Sequence, residues 1–343
     1  MNMSNPFSLV FGKNPVEFVP RQAQKQEIIE MFSSELMNQQ IYMITGLRGI
    51  GKTVLLSNIA NYYRDDNSWE VIELNPERDL LKSFASKLYD IKGVKDAFTN
   101  AKIDVSALGI GISAENTFQY HDIESAIAKM LDVIKKQKKR VLITVDEVTN
   151  SKNMRIFASS FQIFVRQDYP VCLLMTGLLQ NVTDLQNEKS LTFLYRSPKI
   201  HLGLLNISAV KEKYKNIFKI DSDLALQLAK YTNGYPFAFQ VLGYLYWNNR
   251  NIDDILVDYK LNLYELVYDK IWSELSKKDK KVCKAIAQSE TGKIKEIRDI
   301  LEMTTDEFNP YNNRLKKKEL IVKDERGYCE FVLPFFKEYV LER

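Results

Sequence analysis

The sequence has few of the residues that build metal centres and nucleophilic hydrolase sites. Its 343 residues include two histidines and three cysteines, and no two cysteines form a CxxC pair. A His/Cys metal site is therefore disfavoured, as is an enzyme of the Ser-His-Asp or Cys-His type. Three widely separated cysteines are typical of reduced thiols in a cytosolic protein rather than of a disulfide framework.

Long apolar runs and an excess of one charge are also missing. No apolar run reaches the roughly 18 residues that span a bilayer, and residues 1–19 lack the pattern of a signal peptide. We therefore predict a cytoplasmic protein with no membrane partner. The formal net charge is +4, from 48 Lys+Arg and 44 Asp+Glu, which names no partner by itself. Hydrophobic residues make up 45% of the chain, which excludes a disordered protein.

Short apolar runs alternate with helical patterns over the first 205 residues. Strands are predicted at residues 40–45, 69–74, 141–147, 171–177 and 198–202, with helices between them. This alternation predicts a parallel α/β sheet with helices on both faces. After Leu205 the strands stop, and three helices are predicted up to Asn248.

The first predicted strand ends at a glycine-rich turn. Residues 46–53 read Gly-Leu-Arg-Gly-Ile-Gly-Lys-Thr and match the phosphate-binding pattern G-x-x-x-x-G-K-[ST]. The glycines let backbone N–H groups surround phosphate, Lys52 can reach the β- and γ-phosphates, and Thr53 can supply a hydroxyl to Mg²⁺. We predict that ATP or ADP is bound by Gly46, Leu47, Arg48, Gly49, Ile50, Gly51, Lys52, Thr53 and Val54.

Two acids follow another apolar strand, at residues 141–147. Asp146 is predicted to hold Mg²⁺ together with Thr53, because carboxylates at the tip of a buried strand are costly without a partner. Glu147 is placed to polarise a water for attack on the γ-phosphate. The alternative is a binding switch that keeps the acid and hydrolyses ATP slowly.

These motifs together resemble the AAA+/STAND group of P-loop ATPases with a C-terminal winged helix. This group includes archaeal-type and bacterial ATPases related to origin-recognition initiators. The resemblance also covers the opening Asn5-Pro6-Phe7, the strand Leu173–Gly177 and the segment Asn233-Gly-Tyr-Pro. It implies an α/β fold with a P-loop parallel sheet of the ASCE type, an α-helical lid and a winged helix-turn-helix.

The resemblance assigns roles to three further residues. Thr176 would be the sensor residue of its strand, or an ordinary strand-end threonine. Arg196 would be an arginine finger, in cis or in trans, or a residue of a surface salt bridge. Pro236 would pack near the adenine. The lid helix 236–248 contains no arginine and Arg250 follows it, which favours a STAND-like lid over that of a ring-forming motor.

The pattern predicts five regions along the chain. They are an extended lead-in (1–20), the P-loop ATPase core (21–205), a helical lid (206–250), a helical connector (251–275) and the winged helix (276–343). The last region, called here the C-terminal segment, holds 16 Lys+Arg and 13 Asp+Glu, a net +3. The other 275 residues hold 32 and 31, a net +1.

The C-terminal segment is predicted to contain three helices, a hairpin or wing, and a final helix. In winged helices the third helix, here 304–318, enters the major groove of double-stranded DNA. The candidate DNA contacts are Asn312, Asn313, Arg314, Lys316, Lys317 and, at the wing tip, Arg326. The alternative is a winged helix that contacts protein only, either a partner or a second copy.

The predicted function is therefore a Mg-ATP-binding ATPase whose nucleotide state positions the C-terminal segment for DNA binding. Lys52, Glu147, Thr176 and Arg196 are the candidate catalytic residues. The alternative is a STAND-like nucleotide switch or signalling scaffold with a protein-binding winged helix and little turnover. A phosphotransferase is disfavoured, because no acceptor-binding insertion follows the fifth predicted strand.

Overall fold

The structure is a computed structural model that describes residues 4–10, 15–101, 103–106, 118–119, 122–323 and 327–343. Its residues form two compact units. The sheet unit holds Arg21–Thr45 and Lys52–His201, and the helical unit holds Met1–Pro20, Gly46–Gly51 and Leu202–Arg343. The finer boundaries expected for lead-in, core, lid, connector and C-terminal segment stay a prediction.

The sheet unit alternates helices and strands along the chain. Its helices are α1 (Gln22–Ser33), α2 (Lys52–Arg64), α3 (Leu80–Tyr89), α4 (Lys92–Asn100), α5 (Ile123–Lys136), α6 (Lys152–Arg166), α7 (Leu179–Gln186) and a 3-10 helix (Lys189–Arg196). Its strands are β1 (Ile41–Thr45), β2 (Trp69–Leu74), β3 (Ile103–Asp104), β4 (Phe118–Gln119), β5 (Arg140–Val145), β6 (Val171–Gly177) and β7 (Lys199–His201).

Within the described residues, five of these strands form one parallel sheet in the order β2-β5-β6-β1-β7. The separate pair β3 and β4 is also parallel. Every residue of β1 and β6 is buried, as expected for strands covered on both faces. The predicted parallel sheet is therefore present, and β6 lies between the strand that precedes the glycine-rich turn and the strand that precedes Asp146.

Helix α6 shows why the sequence forms helices against this sheet. The Ser151 side chain accepts a hydrogen bond from the backbone N–H of Met154 and so caps the first turn. Phe157, Phe161 and Phe164 follow at helical spacing and are all buried. Burying a side chain of this size stabilises the fold by about 1.5–3 kcal/mol.

The helical unit contains little sheet. Its helices are α8 (Ile207–Phe218), α9 (Ser222–Thr232), α10 (Pro236–Asn248), α11 (Ile252–Leu263), a π-helical turn (Tyr264–Tyr268), α12 (Asp269–Ser273), α13 (Lys277–Gln288), α14 (Ile294–Leu301), α15 (Thr305–Lys317) and α16 (Phe336–Leu341). Its strands β8 (Ile321–Lys323) and β9 (Cys329–Phe331) pair antiparallel.

The C-terminal segment has the predicted order of elements. Three helices, α13, α14 and α15, precede the β8–β9 pair, and α16 follows it. Capping boxes begin two of the helices, at Ser276 with Asp279 and at Thr304 with Glu307. The local signals that predict these starts are therefore the ones that the chain uses.

The described part of the lead-in is anchored by one buried aromatic side chain. Phe7 packs against Phe218 and Phe239, with ring centroids 5.5 Å and 5.4 Å away. Gly243 of α10 makes room for this ring, because a Cβ there would lie 2.3 Å from Phe7 Cε1. The Asn5 side chain also donates to the carbonyl oxygen of Tyr244 at 3.0 Å.

Among the described residues, none of the helices combines the length and the apolar character needed to cross a membrane.

Replacing Phe7 by Ala should release the lead-in from the helical unit. The lost burial and the cavity left behind are expected to cost about 3–5 kcal/mol where the segment stays docked. We expect faster proteolysis between residues 4 and 20 and a lower thermal unfolding midpoint. Val10→Ala is the control because Val10 is 65% exposed. Equal protease resistance of Phe7→Ala and Val10→Ala would contradict this packing.

Candidate functional site

A group of polar side chains lies at the carboxyl edge of the parallel sheet. Thr53, in the first turn of α2, donates its hydroxyl hydrogen bond to Asp146 Oδ2 at 2.8 Å. Asp146 directly follows β5 and is half-buried. The two residues that the sequence predicts as Mg²⁺ ligands are therefore in direct contact.

Thr176 joins the same group from the neighbouring strand. The sheet register pairs Val145 with Met175, so the next residues of the two strands, Asp146 and Thr176, lie level. The buried Thr176 hydroxyl donates to Asp146 Oδ1 and accepts from the backbone N–H of Glu147 at 3.1 Å. Thr176 therefore links both acids of the predicted catalytic strand.

Glu147 leaves the strand in an unusual backbone conformation. Its φ is +55°, in the left-handed region that non-glycine residues adopt infrequently. Its N–H lies 3.1 Å from Asp146 Oδ1 as well as from Thr176 Oγ1, which holds the turn. The Glu147 side chain is exposed. Asp146 is thus half-buried and bonded to Thr53, while Glu147, the next residue, is exposed.

The other two predicted catalytic residues differ in their surroundings. Lys52 is the first residue of α2 and is buried, with 8% of its surface exposed. Arg196 ends the 3-10 helix Lys189–Arg196 and is exposed. Within the described residues Arg196 forms no hydrogen bond and no ion pair. It is therefore not part of the hydrogen-bonded set Thr53, Asp146 and Thr176, called here the Asp146 group. Its role as an arginine finger stays a prediction.

In the helical unit, the glycines of the phosphate loop take the backbone conformations that the motif requires. Gly49 and Gly51 have φ of +74° and +93°. The Tyr235 hydroxyl donates to the carbonyl oxygen of Arg48 at 2.6 Å. A Cβ on Gly49 would lie 2.2 Å from the same hydroxyl oxygen, so any side chain there would displace Tyr235. Close approach of a tyrosine therefore requires this glycine.

The role of Tyr235 was not evident from the sequence. The resemblance points to Pro236, which the structure places at the first position of α10, where proline is favoured. Tyr235, one residue earlier, is fully buried, and this burial raises the pKa of its hydroxyl well above the usual value. The hydroxyl therefore stays a hydrogen-bond donor at any physiological pH. The sequence feature that could have indicated this role is a tyrosine, a large aromatic residue with a hydroxyl, at the middle position of the Gly-x-Pro pattern.

Arg48 is held by its side chain as well as by its backbone. Its Nη2 lies 3.3 Å from Glu274 Oε1, and Lys270 Nζ lies 3.3 Å from the same oxygen. Glu274 follows α12 and stands two residues before Ser276, the cap of α13. A residue of the phosphate loop thus contacts the chain immediately ahead of the C-terminal segment.

The side chain of Arg250, the arginine nearest to the lid helix, lies against three neighbouring aromatic rings. Its guanidinium carbon lies 4.8 Å, 5.6 Å and 5.4 Å from the ring centroids of Phe218, Tyr246 and Trp247. Such cation–π contacts hold the side chain against α8 and α10. The STAND-like character of the lid stays a prediction.

The residues of α15 that are predicted to contact DNA differ in burial and in ion pairing. Asn312 is only 3% exposed, so the prediction that its side chain reaches DNA is wrong for this conformation. Arg314 forms a forked ion pair with Asp279, with Nε at 2.7 Å and 3.0 Å from the two carboxylate oxygens. Asn313 and Lys317 are exposed and Lys316 is half-buried. Arg326 lies outside the described residues.

The Asp146 group fits a magnesium ion by its chemistry. A threonine hydroxyl and a carboxylate are hard oxygen donors of the kind that Mg²⁺ prefers. The described residues contain no cluster of three or more His, Cys, Asp or Glu arranged as a metal site. An ion bound here would accordingly take most of its ligands from phosphate and water, as is usual for Mg²⁺ in nucleotide sites.

Comparison with known proteins identifies the family. Residues 18–193, just over half of the chain, match the family described as an ATPase domain predominantly from Archaea. The chain belongs to this ATPase family. It is therefore an ATP-binding P-loop ATPase. Residues 265–340 match a second family, described as a domain of unknown function.

Two solved structures share the fold of this ATPase over nearly its whole length. The Walker-type ATPase of Pyrococcus abyssi is 16% identical with a TM-score of 0.67, covering 95% of this chain and 96% of its own. The ORC2 protein of Aeropyrum pernix is 12% identical with a TM-score of 0.59, covering 99% and 94%. The predicted fold class is confirmed, and the predicted resemblance to initiator-type ATPases is confirmed at the level of the fold.

Replacing Tyr235 by Phe should loosen the phosphate loop without emptying the core. The ring stays, but the hydrogen bond to the Arg48 carbonyl is lost, which typically costs about 0.5–1.5 kcal/mol. We expect ATP and ADP affinity to fall roughly two- to tenfold in calorimetric titration.

Tyr268→Phe is the matched control for that experiment. Tyr268 is also buried, and its hydroxyl donates to a backbone carbonyl, that of Pro334, at 2.6 Å. We expect a similar loss of thermal stability in both variants and a loss of nucleotide affinity only in Tyr235→Phe. An equal change of affinity in the two variants would disprove a specific role for Tyr235.

Proposed function

We propose that this ATPase binds Mg-ATP, hydrolyses it slowly, and uses the nucleotide state to position residues 276–343 for DNA binding. ATP hydrolysis is supported chiefly by one observation, the hydrogen-bonded group of Thr53, Asp146 and Thr176 beside the turn at Glu147. The A. pernix ORC2 protein of the same fold was solved in ADPNP-ADP complexes, which supports a nucleotide at the corresponding loop.

The residues of the glycine-rich loop and of the carboxyl edge of the sheet would have different roles in hydrolysis. The glycine-rich loop and Lys52 would bind the phosphates, and Thr53 with Asp146 would hold Mg²⁺. When bound, Mg²⁺ neutralises phosphate charge. Glu147 would accept a proton from the attacking water, because its carboxylate is exposed while its backbone is held by Thr176. Thr176 would thus act by positioning Glu147 and Asp146. Arg196 would add positive charge only after moving or from a second copy.

Positioning of the C-terminal segment is supported by the contacts of Arg48. The phosphate loop carries Arg48, and Arg48 contacts Glu274 directly ahead of α13. A change in the loop on ATP hydrolysis would alter this ion pair. Because the pair is partly exposed, it would contribute about 0.2–1 kcal/mol, which shifts populations up to roughly fivefold.

A second candidate function is favoured by one observation. The lid helix contains no arginine, and Arg250 is held by three aromatic rings. A lid of this kind suits a STAND-like switch that retains nucleotide with little turnover and uses residues 276–343 for protein contact. The two candidates differ in phosphate release, which the following experiment measures. Cytoplasmic location and the oligomeric state stay predictions in both.

Glu147→Gln should abolish turnover while ATP binding persists. Loss of a general base typically costs about 10²–10⁴-fold in rate, measured as phosphate release at saturating Mg-ATP. Glu302→Gln is the matched control, because Glu302 is also an exposed glutamate with positive φ, at +53°. No phosphate release by the wild-type chain, with or without DNA, would instead favour the switch.

Glu274→Gln should weaken the link between nucleotide and the C-terminal segment. We expect the difference in amide hydrogen exchange of residues 276–343 between ATP and ADP to shrink up to about fivefold. Nucleotide affinity should stay within about twofold. Lys270→Gln is the control, since it leaves the Arg48–Glu274 pair intact. An unchanged exchange difference in Glu274→Gln would exclude this route of coupling.

A further inference from the structure

The basic surplus of the C-terminal segment lies on one helix that the sequence does not single out. Residues 276–288, which are α13 and its cap, hold five Lys and one Asp, a net +4. Residues 289–343 hold 11 Lys+Arg and 12 Asp+Glu, a net −1. Because α15 (Thr305–Lys317) holds three Lys+Arg and two Asp+Glu, a net +1, most of the positive charge of the segment originates from α13.

The single acid of α13 does not reduce this charge at the surface. Asp279 is 1% exposed and its carboxylate is bound by Arg314 and by the Ser276 hydroxyl. Burial alone would raise the pKa of Asp279, but these hydrogen bonds outweigh it and the pKa is lowered. The buried carboxylate thus pairs with Arg314, and the charged side chains on the solvent side of α13 are all lysines.

The five lysines form a continuous surface, called here the lysine face (Lys277, Lys278, Lys280, Lys281 and Lys284). Positions 277, 281 and 284 follow one another at helical spacing, opposite the buried Val282 and Ile286. In the described part of the chain, none of the five forms an ion pair. Their charges are therefore available to a negatively charged partner.

Aromatic rings hold the two edges of the lysine face. Lys278 Nζ lies 5.9 Å from the ring centroid of Tyr311 on α15, and Arg314 lies over the same ring at 5.1 Å. Lys280 Nζ lies 5.4 Å from the ring of Trp272. The face is therefore supported from both sides and continues onto the exposed surface of α15.

Helix α15 has fewer side chains available for DNA contact than its position as the third helix of the segment predicts. Asn312 is buried and Arg314 is paired with Asp279. The N-terminal end of a recognition helix is the part that usually meets base edges. In α15 that end carries Asp306 and Glu307, which phosphates would repel.

We propose that the lysine face of α13 is the main surface by which this chain contacts the phosphates of double-stranded DNA. This inference rests on the proposed function and assigns the DNA contact to a different helix. Duplex DNA carries one negative charge per about 1.7 Å of its axis, so it suits a row of cations that has no exposed acid among them. Lysine contacts to phosphate carry no sequence information, so binding is independent of sequence.

The buried side of α13 argues against a membrane as the partner. A membrane-surface helix needs an apolar face to insert, and that of α13 is occupied by the core residues Val282, Cys283 and Ile286. An acidic protein is the alternative partner, and the experiment below tests it with a polyglutamate peptide.

The experiment compares two triple variants of the full chain with equal loss of charge. Lys277→Gln/Lys281→Gln/Lys284→Gln changes the lysine face. Lys316→Gln/Lys317→Gln/Lys318→Gln changes the end of α15 and Lys318, the residue that caps it. Binding to a duplex of arbitrary sequence is measured by fluorescence anisotropy with saturating ATP or ADP, between about 50 and 200 mM salt. For the α13 variant we expect at least tenfold weaker binding and a salt slope lower by about 2–3, because each lost phosphate contact lowers it by about 0.9. The α15 variant should change binding less than about threefold.

Two further arms separate the possible failures. Lys277→Arg/Lys281→Arg/Lys284→Arg should restore binding, and thermal unfolding midpoints should match in all variants. Equal or larger loss in the α15 variant would overturn the lysine face and leave DNA binding in place. No duplex binding by the wild-type chain in either nucleotide state would overturn the DNA half of the proposed function itself. Tighter binding to a polyglutamate peptide or to phosphatidylserine vesicles than to duplex would overturn DNA as the occupant.

Discussion

The structure depends on one requirement, that a carboxylate at the edge of a buried sheet must have partners. Asp146 meets it with hydroxyl groups from Thr53 and Thr176, which come from two separate elements. Each partner is positioned by packing at a distance, Thr53 by the start of α2 and Thr176 by the register of β6 with β5. The buried phenylalanines of α6 and the fully buried strands belong to the same packed unit as these three residues.

The glycine-rich loop shows a second use of tight packing. Gly49 accommodates the hydroxyl of Tyr235 where any side chain would collide with it, and Arg48 is bound through both its backbone and its side chain. A loop held this way by its own unit has few alternative conformations. A phosphate that alters one of these contacts therefore alters the others. This is the physical basis for expecting the lid, the connector and residues 276–343 to respond to nucleotide.

Electrostatics in the C-terminal segment depends on which charges are paired within the fold. The forked pair of Arg314 with Asp279 removes one cation from α15 and one anion from α13. A count along the chain includes both residues and still gives residues 276–288 a net +4 and residues 289–343 a net −1. Because Asp279 is buried, the five lysines of α13 have no exposed acid among them. The residue count already makes α13 the more basic helix. The pair with Arg314, whose side chain is 43% exposed, adds that the one acid of α13 is withdrawn from its surface.

The sequence alone predicted the parallel sheet, the helix starts at Ser276 and Thr304, and the meeting of Thr53 with Asp146. Those features follow from local patterns, namely apolar periodicity, caps and a motif whose spacing is set by phosphate. It did not predict the contact of Tyr235 with Arg48, the burial of Asn312 or the pairing of Arg314. Each of these joins residues far apart in the chain, or concerns which side of a helix faces the core. Such contacts arise only when elements pack, because periodicity indicates that one face is buried but not which distant side chain covers it.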